Sequence, residues 1–252
     1  MKQVAIECTD IRKSFGSVEA LRGVSITAAA GEVTAIVGDN GAGKSTLIKC
    51  ISGVYTADSG EIKINGEKVE FSNPEESRSF GIETVYQTLG LIEDLTIWQN
   101  LFLNREITTG FGPAKLLNKR KMREESEGML KNLDVYIPSV KARTRGLSGG
   151  QRQAVAICRA ASWGSKVVIM DEPTAALGVK ETAKVEELIK RMKAKGLAIL
   201  LISHNFDQVL RLADHIWVMR QGSVMAGMRA KDTDGDQLVA LITGAASGAK
   251  SR

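Results

Sequence analysis

Apolar and polar positions follow distinct periodicities along this chain, and each predicts a different kind of element. From Val4 to Thr27 short β-like runs are broken by turn residues at Phe15-Gly16-Ser17; Ala30-Gly31-Glu32 then leads into an apolar strand, Val33, Ala35, Ile36 and Val37. Thr46 to Ser52 reads as a helix. Glu61-Ile62-Lys63-Ile64 alternates with period two, Asn65-Gly66 supplies the two φ > 0 residues of a tight turn, and Glu67-Lys68-Val69 returns antiparallel. Ile82 to Tyr86 predicts a buried strand that ends at Gln87. Beyond it the period becomes helical, around Ile97 to Leu103 and Lys121 to Leu133, with a loop at Thr108-Thr109-Gly110-Phe111-Gly112-Pro113 between the two.

Val167 to Met170 and Ala198 to Ile202 are continuous apolar runs of strand length, the pattern of central strands covered on both faces. Between them Val185, Leu188, Ile189 and Met192 form a one-face helical stripe that Gly196 closes. This is βαβ wiring, hence a mainly parallel sheet in an α/β fold. Ile216 to Met219, Gln221-Gly222 and Val224-Met225 predict one more hairpin, and Gly235 to Thr243 a final helix. The expected layout is one domain over 1–244, with a helical lobe inserted at 88–164 and a disordered tail at 245–252. No internal repeat is visible, so the chain holds a single cassette.

Composition changes this picture little. With 252 residues, 43% hydrophobic and 25% charged, the chain sits at the averages of globular proteins and can bury a sizeable core. No apolar run approaches the roughly 20 residues of a membrane span, and the first residues lack a signal-peptide core, so a cytosolic location is expected. Three cysteines, Cys8, Cys50 and Cys158, have neither disulfide nor metal-site spacing and read as small buried apolar residues. A net charge of +5 permits a nucleic-acid or membrane partner without pointing to one. The basic run Lys115, Lys119, Arg120, Lys121 and Arg123 is followed by Glu124, Glu125 and Glu127, which reads as a solvated helix face.

Chemistry enters at Gly38-Asp39-Asn40-Gly41-Ala42-Gly43-Lys44-Ser45, followed by Thr46, between the apolar strand and the helix. In strand–loop–helix context this spacing is a phosphate-binding loop. Glycines let backbone N–H groups turn toward an anion, and the helix N-terminus adds unpaired donors. Lys44 would reach the β- and γ-phosphates, and the Ser45 hydroxyl would ligate Mg²⁺. A glycine turn beside a surface Lys-Ser pair would spell the same letters, so other stretches must decide.

Those stretches are the ends of the remaining parallel strands, where α/β sheets bind ligands. Gln87 ends the second, Asp171-Glu172 the third, and Ser203-His204 the fourth. Two acids after four apolar residues make poor core chemistry unless a cation meets them. Beside a triphosphate, Asp171 would hold the metal's water shell and Glu172 would accept a proton from attacking water. His204 would contact the γ-phosphate; His215 has no such company and receives no role. Ser148-Gly149-Gly150-Gln151, after Leu147, opens a further helix: a second anion site, or simply a turn with Ser148 as N-cap.

Phosphate loop, Gln87, LSGGQ, Asp171-Glu172 and His204, in that order, resemble the nucleotide-binding subunit of an ABC transporter over nearly the whole chain. The resemblance implies a RecA-like P-loop core with an antiparallel β subdomain, binding ATP with Mg²⁺ held by Ser45, Gln87 and Asp171. It implies a head-to-tail dimer, homomeric or with a paralogue, in which Ser148 and Gly150 complete the partner's ATP site. Gln87 would couple the γ-phosphate to membrane permease subunits, and Phe15 matches the aromatic that stacks on adenine. Asn100 to Glu106 and Asp171 to Gly178 are similar to ATPases of bacterial monosaccharide importers of the ribose, xylose and fructose type. That implies a peripheral position on the cytoplasmic face of the inner membrane, and indirectly a periplasmic sugar-binding protein. Many of those ATPases hold two fused cassettes, and the wider family has aspartate where Gly178 stands here. Two other readings remain at this point: a soluble ABC ATPase working on nucleic acid or the ribosome, against which the absence of coiled-coil arms counts, and a nucleotide-sensing regulator that no longer hydrolyses.

Overall fold

The computed structural model describes residues 2–110, 115–164 and 166–245. In chain order the elements are β1 (Val4–Phe15), β2 (Val18–Ala29), β3 (Val33–Val37), α1 (Lys44–Ile51), β4 (Ser59–Ile64), β5 (Glu67–Val69), α2 (Pro74–Ser79) and β6 (Ile82–Val85). There follow α3 (Ile97–Leu101), β7 (Thr108–Thr109), β8 (Leu116–Leu117), α4 (Lys119–Asn132) and α5 (Gly149–Trp163). The chain continues with β9 (Val167–Asp171), α6 (Val179–Ala194), β10 (Ala198–Ile202), α7 (Phe206–Leu212), β11 (His215–Arg220), β12 (Ser223–Arg229) and α8 (Gly235–Thr243).

The principal sheet runs β12-β11-β3-β10-β9-β6, parallel throughout except for the edge strand β12. Every residue of β3 and β10 is buried, as their unbroken apolar runs require of strands covered on both faces. A second, antiparallel sheet, β2-β1-β4-β5, packs its inner face on α1 through Ile6, Cys8, Leu21, Ile48 and Ile62. On the opposite face of the principal sheet α5 and α6 pack over Val168, Met170, Ile199 and Leu201. The third cluster joins β11 to α7 and α8 through Val209, Ile216, Val218 and Leu238. Helix α5 touches α3 and α4 as well as β6 and α6, so it joins the helical region to the sheet.

Most expected elements are present, with instructive differences. The opening β-like runs are in fact two 12-residue strands, because a positive φ of 49° at Asp10 and several register shifts let one strand bend and continue. The helix expected from Thr46 starts at Lys44, since the loop's last glycine serves as N-cap. The loop expected at 108–113 contributes Thr108-Thr109 to a two-residue antiparallel pairing with Leu116-Leu117; residues 111–114 lie outside the described residues. Residues 246–252, where a disordered tail is expected, lie outside them too.

Two short helices have no counterpart in the apolar pattern. Helix α2 is held by Asn73, whose Oδ1 accepts from the Glu76 backbone amide at 3.0 Å, and α7 by Asn205, whose Oδ1 accepts from that of Gln208 at 3.0 Å. The basic run on α4 is a solvated face, with Arg120–Glu124 and Lys121–Glu125 paired at i,i+4 and Met122, Ser126 and Leu130 turned inward. All three cysteines are buried and free; burial pushes Cys8 up to about 12 and Cys50 and Cys158 to about 11, so they are inert thiols.

Candidate functional site

Parallel order places the carboxyl ends of β6, β9, β10 and β3 side by side, and each delivers the polar residues expected of it. From β3 the chain enters the Gly38–Ser45 loop with φ of 156° at Gly38, 82° at Gly41 and 99° at Gly43. A Cβ on Gly38 would lie 2.2 Å from the Met219 carbonyl oxygen, and one on Gly43 2.8 Å from that of Ala20. Glycine is thus required twice, once by conformation and once by closeness of approach. Helix α1 has no side-chain cap, so the first-turn amides at Lys44, Ser45 and Thr46 face outward without intrahelical partners.

These amides border a cavity of about 690 Å³ lined by Asn40 to Thr46, by Val18, Glu19, Ala20 and Arg22 of β2, and by Gln221-Gly222. The β2 and β11–β12 residues of this wall carry no motif; they arrive because Arg22 N–H donates to the Gly222 carbonyl at 2.8 Å, folding one hairpin onto the other. The Lys44 ammonium donates to the carbonyls of Gly38 at 2.6 Å and Asp39 at 2.9 Å. Burial lowers its pKa, and Glu172, Asp171 and Asp39 oppose that shift through their charge. A cradle of exposed amides with a half-buried ammonium fits a polyphosphate.

Asp171 ends β9, and burial, then the charge of Glu172, raises its carboxyl pKa; Lys44 and Lys49 offset part of the rise. An acid held in this way gains from a cation. Among the described residues no group of three His, Cys, Asp or Glu could hold a metal by itself. A hydroxyl (Ser45), an amide (Gln87) and one carboxylate (Asp171), the ligands expected from the sequence, are of the oxygen-donor type that suits an ion taking most of its ligands from phosphate and water.

Glu172 adopts a left-handed backbone, φ 50°, while its N–H donates to the Ile202 carbonyl at 2.9 Å. The turn brings its carboxylate oxygen Oε1 2.8 Å from Nδ1 of His204. The imidazole is 75% exposed, at the surface rather than in the core. Gln87 is exposed just after β6, inside a turn closed by Leu89 N–H to the Tyr86 carbonyl.

Phe15 and the residues of the Ser148–Gln151 turn lie outside this cavity. Phe15 packs edge-on to Tyr55, ring centroids 5.1 Å apart, and is not in the cavity lining, although its neighbour across the turn, Val18, is. Ser148, Gly150 and Gln151 border a different pocket, of about 340 Å³, between α5 and α6. There Ser148 caps α5: its hydroxyl accepts from the Gln151 amide at 3.3 Å and its own amide donates to Gln151 Oε1 at 3.0 Å. A Cβ on Gly150 would sit 2.6 Å from Glu181 Cγ.

A family model described as ABC transporter matches residues 21–175, from β2 through the strand end at Asp171-Glu172. The chain belongs to the ABC transporter ATPases. This cassette is 47% identical to the xylose/arabinose import ATP-binding protein of Sulfolobus acidocaldarius, over 96% of this chain and 95% of that protein. It is 46% identical to the fructose import ATP-binding protein of Rhizobium meliloti, over 92% and 91%. A ribose import ATP-binding protein of Lactococcus lactis is 40% identical over 95% of this chain but 48% of its own length, so the cassette spans about half of that relative. Among solved structures, a nucleotide-free ATP-binding cassette from an ABC transporter superposes with a TM-score of 0.80 at 32% identity, covering 96% of this chain and 95% of that one. The cassette is an α/β, ATP-binding, ABC-type ATPase, as its motif order implies.

Proposed function

We propose that this chain is the ATP-hydrolysing subunit of an ABC importer that takes up a monosaccharide. The observation that carries the reading is near end-to-end similarity, above 45% identity, to two sugar-import ATP-binding proteins of the same length class, joined to an intact set of polar strand ends. In this reading the Gly38–Ser45 loop and the α1 amides hold the phosphates of ATP. Lys44 exchanges the Gly38 and Asp39 carbonyls for phosphate oxygens. Ser45, Gln87 and Asp171 hold Mg²⁺, whose chemistry is to neutralise charge developing on the transferred phosphoryl group.

Glu172 is the general base that orients and deprotonates water. His204, placed beside Glu172 through Nδ1, contacts the γ-phosphate. Phe15, exposed and paired across the turn with Val18 of the cavity wall, offers its ring to adenine at the rim of that cavity. Ser148, Gly149, Gly150 and Gln151 face a second cassette, a homodimer partner or a paralogue, whose ATP they complete. The segment 88–164 reaches the membrane permeases, with a periplasmic sugar-binding protein beyond them, and the cassette lies peripherally on the cytoplasmic face of the membrane. Among the described residues no helix is long and apolar enough to cross it. Nucleic acid is not a partner in this reading.

The test is to purify the chain from membranes with whatever permease and binding protein accompany it. Reconstituted vesicles should then take up one monosaccharide only with ATP. Co-purification with RNA or ribosomes, without a permease, would overturn the proposal.

A further inference from the structure

Between the loop that carries Glu172 and the loop that carries His204 lies a fully buried amide, Gln208 of α7, to which the phosphate chemistry gives no role. Its Oε1 accepts from two hydroxyls at once: Thr174 Oγ1 at 3.1 Å and Ser203 Oγ at 3.2 Å. Thr174 is two residues beyond Glu172, and Ser203 immediately precedes His204. Ser203 Oγ in turn accepts from the Asn205 backbone amide at 3.1 Å, and Asn205 caps α7 through the Gln208 amide. On its other side Gln208 Nε2 donates to Glu186 Oε1 at 3.4 Å, and Arg211 Nη2 donates to the same oxygen at 2.7 Å. Glu186 is 9% exposed.

Each donor atom named here meets an acceptor, and the arrangement is directional. Arg211 fixes Glu186, Glu186 fixes which end of the Gln208 amide faces the sheet, and the amide oxygen then fixes both hydroxyls. A buried network satisfied at each step sets a single geometry, whereas a partly satisfied one does not. From this geometry we infer that Gln208 is the positioning residue that holds Glu172 and His204 in register across the β9–β10 gap. The inference rests on the reading of Glu172 as base and His204 as phosphate contact. Acting through Thr174 and Ser203, the amide touches neither ATP nor the reacting atoms.

The experiment compares the parent chain with Gln208→Leu, Gln208→Glu, Glu186→Gln and the exchange Gln208→Glu/Glu186→Gln. Gln208→Leu keeps the volume and removes both acceptor and donor. Its kcat should fall roughly 10- to 100-fold, the scale for misplacing a catalytic group by about an ångström, while KM for ATP and calorimetric ATP affinity stay within about twofold. Gln208→Glu faces Glu186 with a second carboxylate and should be impaired comparably. The double exchange restores one amide and one carboxylate in the same place and should recover kcat to within about threefold of the parent. The chain holds two histidines, so imidazole NMR should show His204 displaced in Gln208→Leu and returned in the double exchange.

Thermal melts of each variant establish that it is folded. A folded Gln208→Leu with parental kcat and parental His204 signals would overturn the inference. So would a double exchange no better than Gln208→Glu, or a kcat loss matched by an equal loss of ATP affinity. If the parent itself fails to hydrolyse ATP, the reading of the site has failed; the NMR comparison still reports whether Gln208 holds His204.

Discussion

Glu172 occupies a backbone region that costs a residue with a Cβ on the order of 1–2 kcal/mol, and it does so with its N–H paired to Ile202 and its carboxylate against His204. The strained turn takes the acid out of strand alternation and aims it beside Asp171 rather than away from it. Glu172→Gln, which keeps shape and strain, should slow turnover by roughly 10²- to 10⁴-fold while ATP still binds, as steady-state kinetics and calorimetry would measure. Lys44→Ala should weaken nucleotide binding itself, since the ammonium is the loop's own cation.

Asp171 has a different signature. Its raised pKa means the folded chain binds a proton that the unfolded chain has lost, so its contribution favours folding below the ordinary carboxylate range and fades as pH rises through the shifted value. Asp171→Asn should therefore raise the melting temperature of the ligand-free cassette at neutral pH and abolish Mg²⁺-dependent hydrolysis, two effects of opposite sense. At this scale the sequence is at its most legible, because phosphate loops, acidic strand ends and a lone histidine announce themselves by residue type. Gln208 does not: a glutamine in an amphipathic stretch has no distinguishing letter pattern, and its value comes from Thr174 and Ser203, residues 34 and 5 positions away.

Elements were legible in proportion to their burial. The strands β3, β9 and β10 and the stripe of α6 follow from apolar runs long enough to leave one interpretation, and α8 begins and ends where its pattern does. Helices α2 and α7, six and seven residues long, are too short for a 3.6-residue period to declare itself. Their caps were the available signal, Asn73-Pro74 with Glu76 and Asn205 with Gln208. The cavity wall at Val18–Arg22 and Gln221-Gly222 was not readable, because two hairpins distant in sequence build it. Asn205→Ala should cost about 1 kcal/mol in urea unfolding, the usual worth of a cap, and should disturb His204 because the same residue starts α7 and ends its loop.

For the whole molecule the decisive fact is separation. Gly38–Ser45 and Ser148–Gln151 border two different pockets of one chain, and in the proposed reading two copies bring them to one nucleotide. The Glu172→Gln protein, able to bind but slow to hydrolyse, should double its light-scattering mass on addition of ATP and Mg²⁺. A mass that remains that of one chain at saturating nucleotide would exclude the shared site. The capped start of α5 also bears on this step: Ser148 uses only an oxygen lone pair to cap the helix, so its hydroxyl proton remains free for an acceptor brought by another copy.

The folded-back Lys44 makes a kinetic statement about arrival. Because Gly38 and Asp39 hold the ammonium at the mouth of the cradle, lodging a phosphate asks of Lys44 a change of acceptors rather than a reopening of the loop. Stopped-flow mixing with a fluorescent ATP analogue should therefore record a single phase whose rate rises linearly with concentration and falls with ionic strength, with no plateau from a slow opening step.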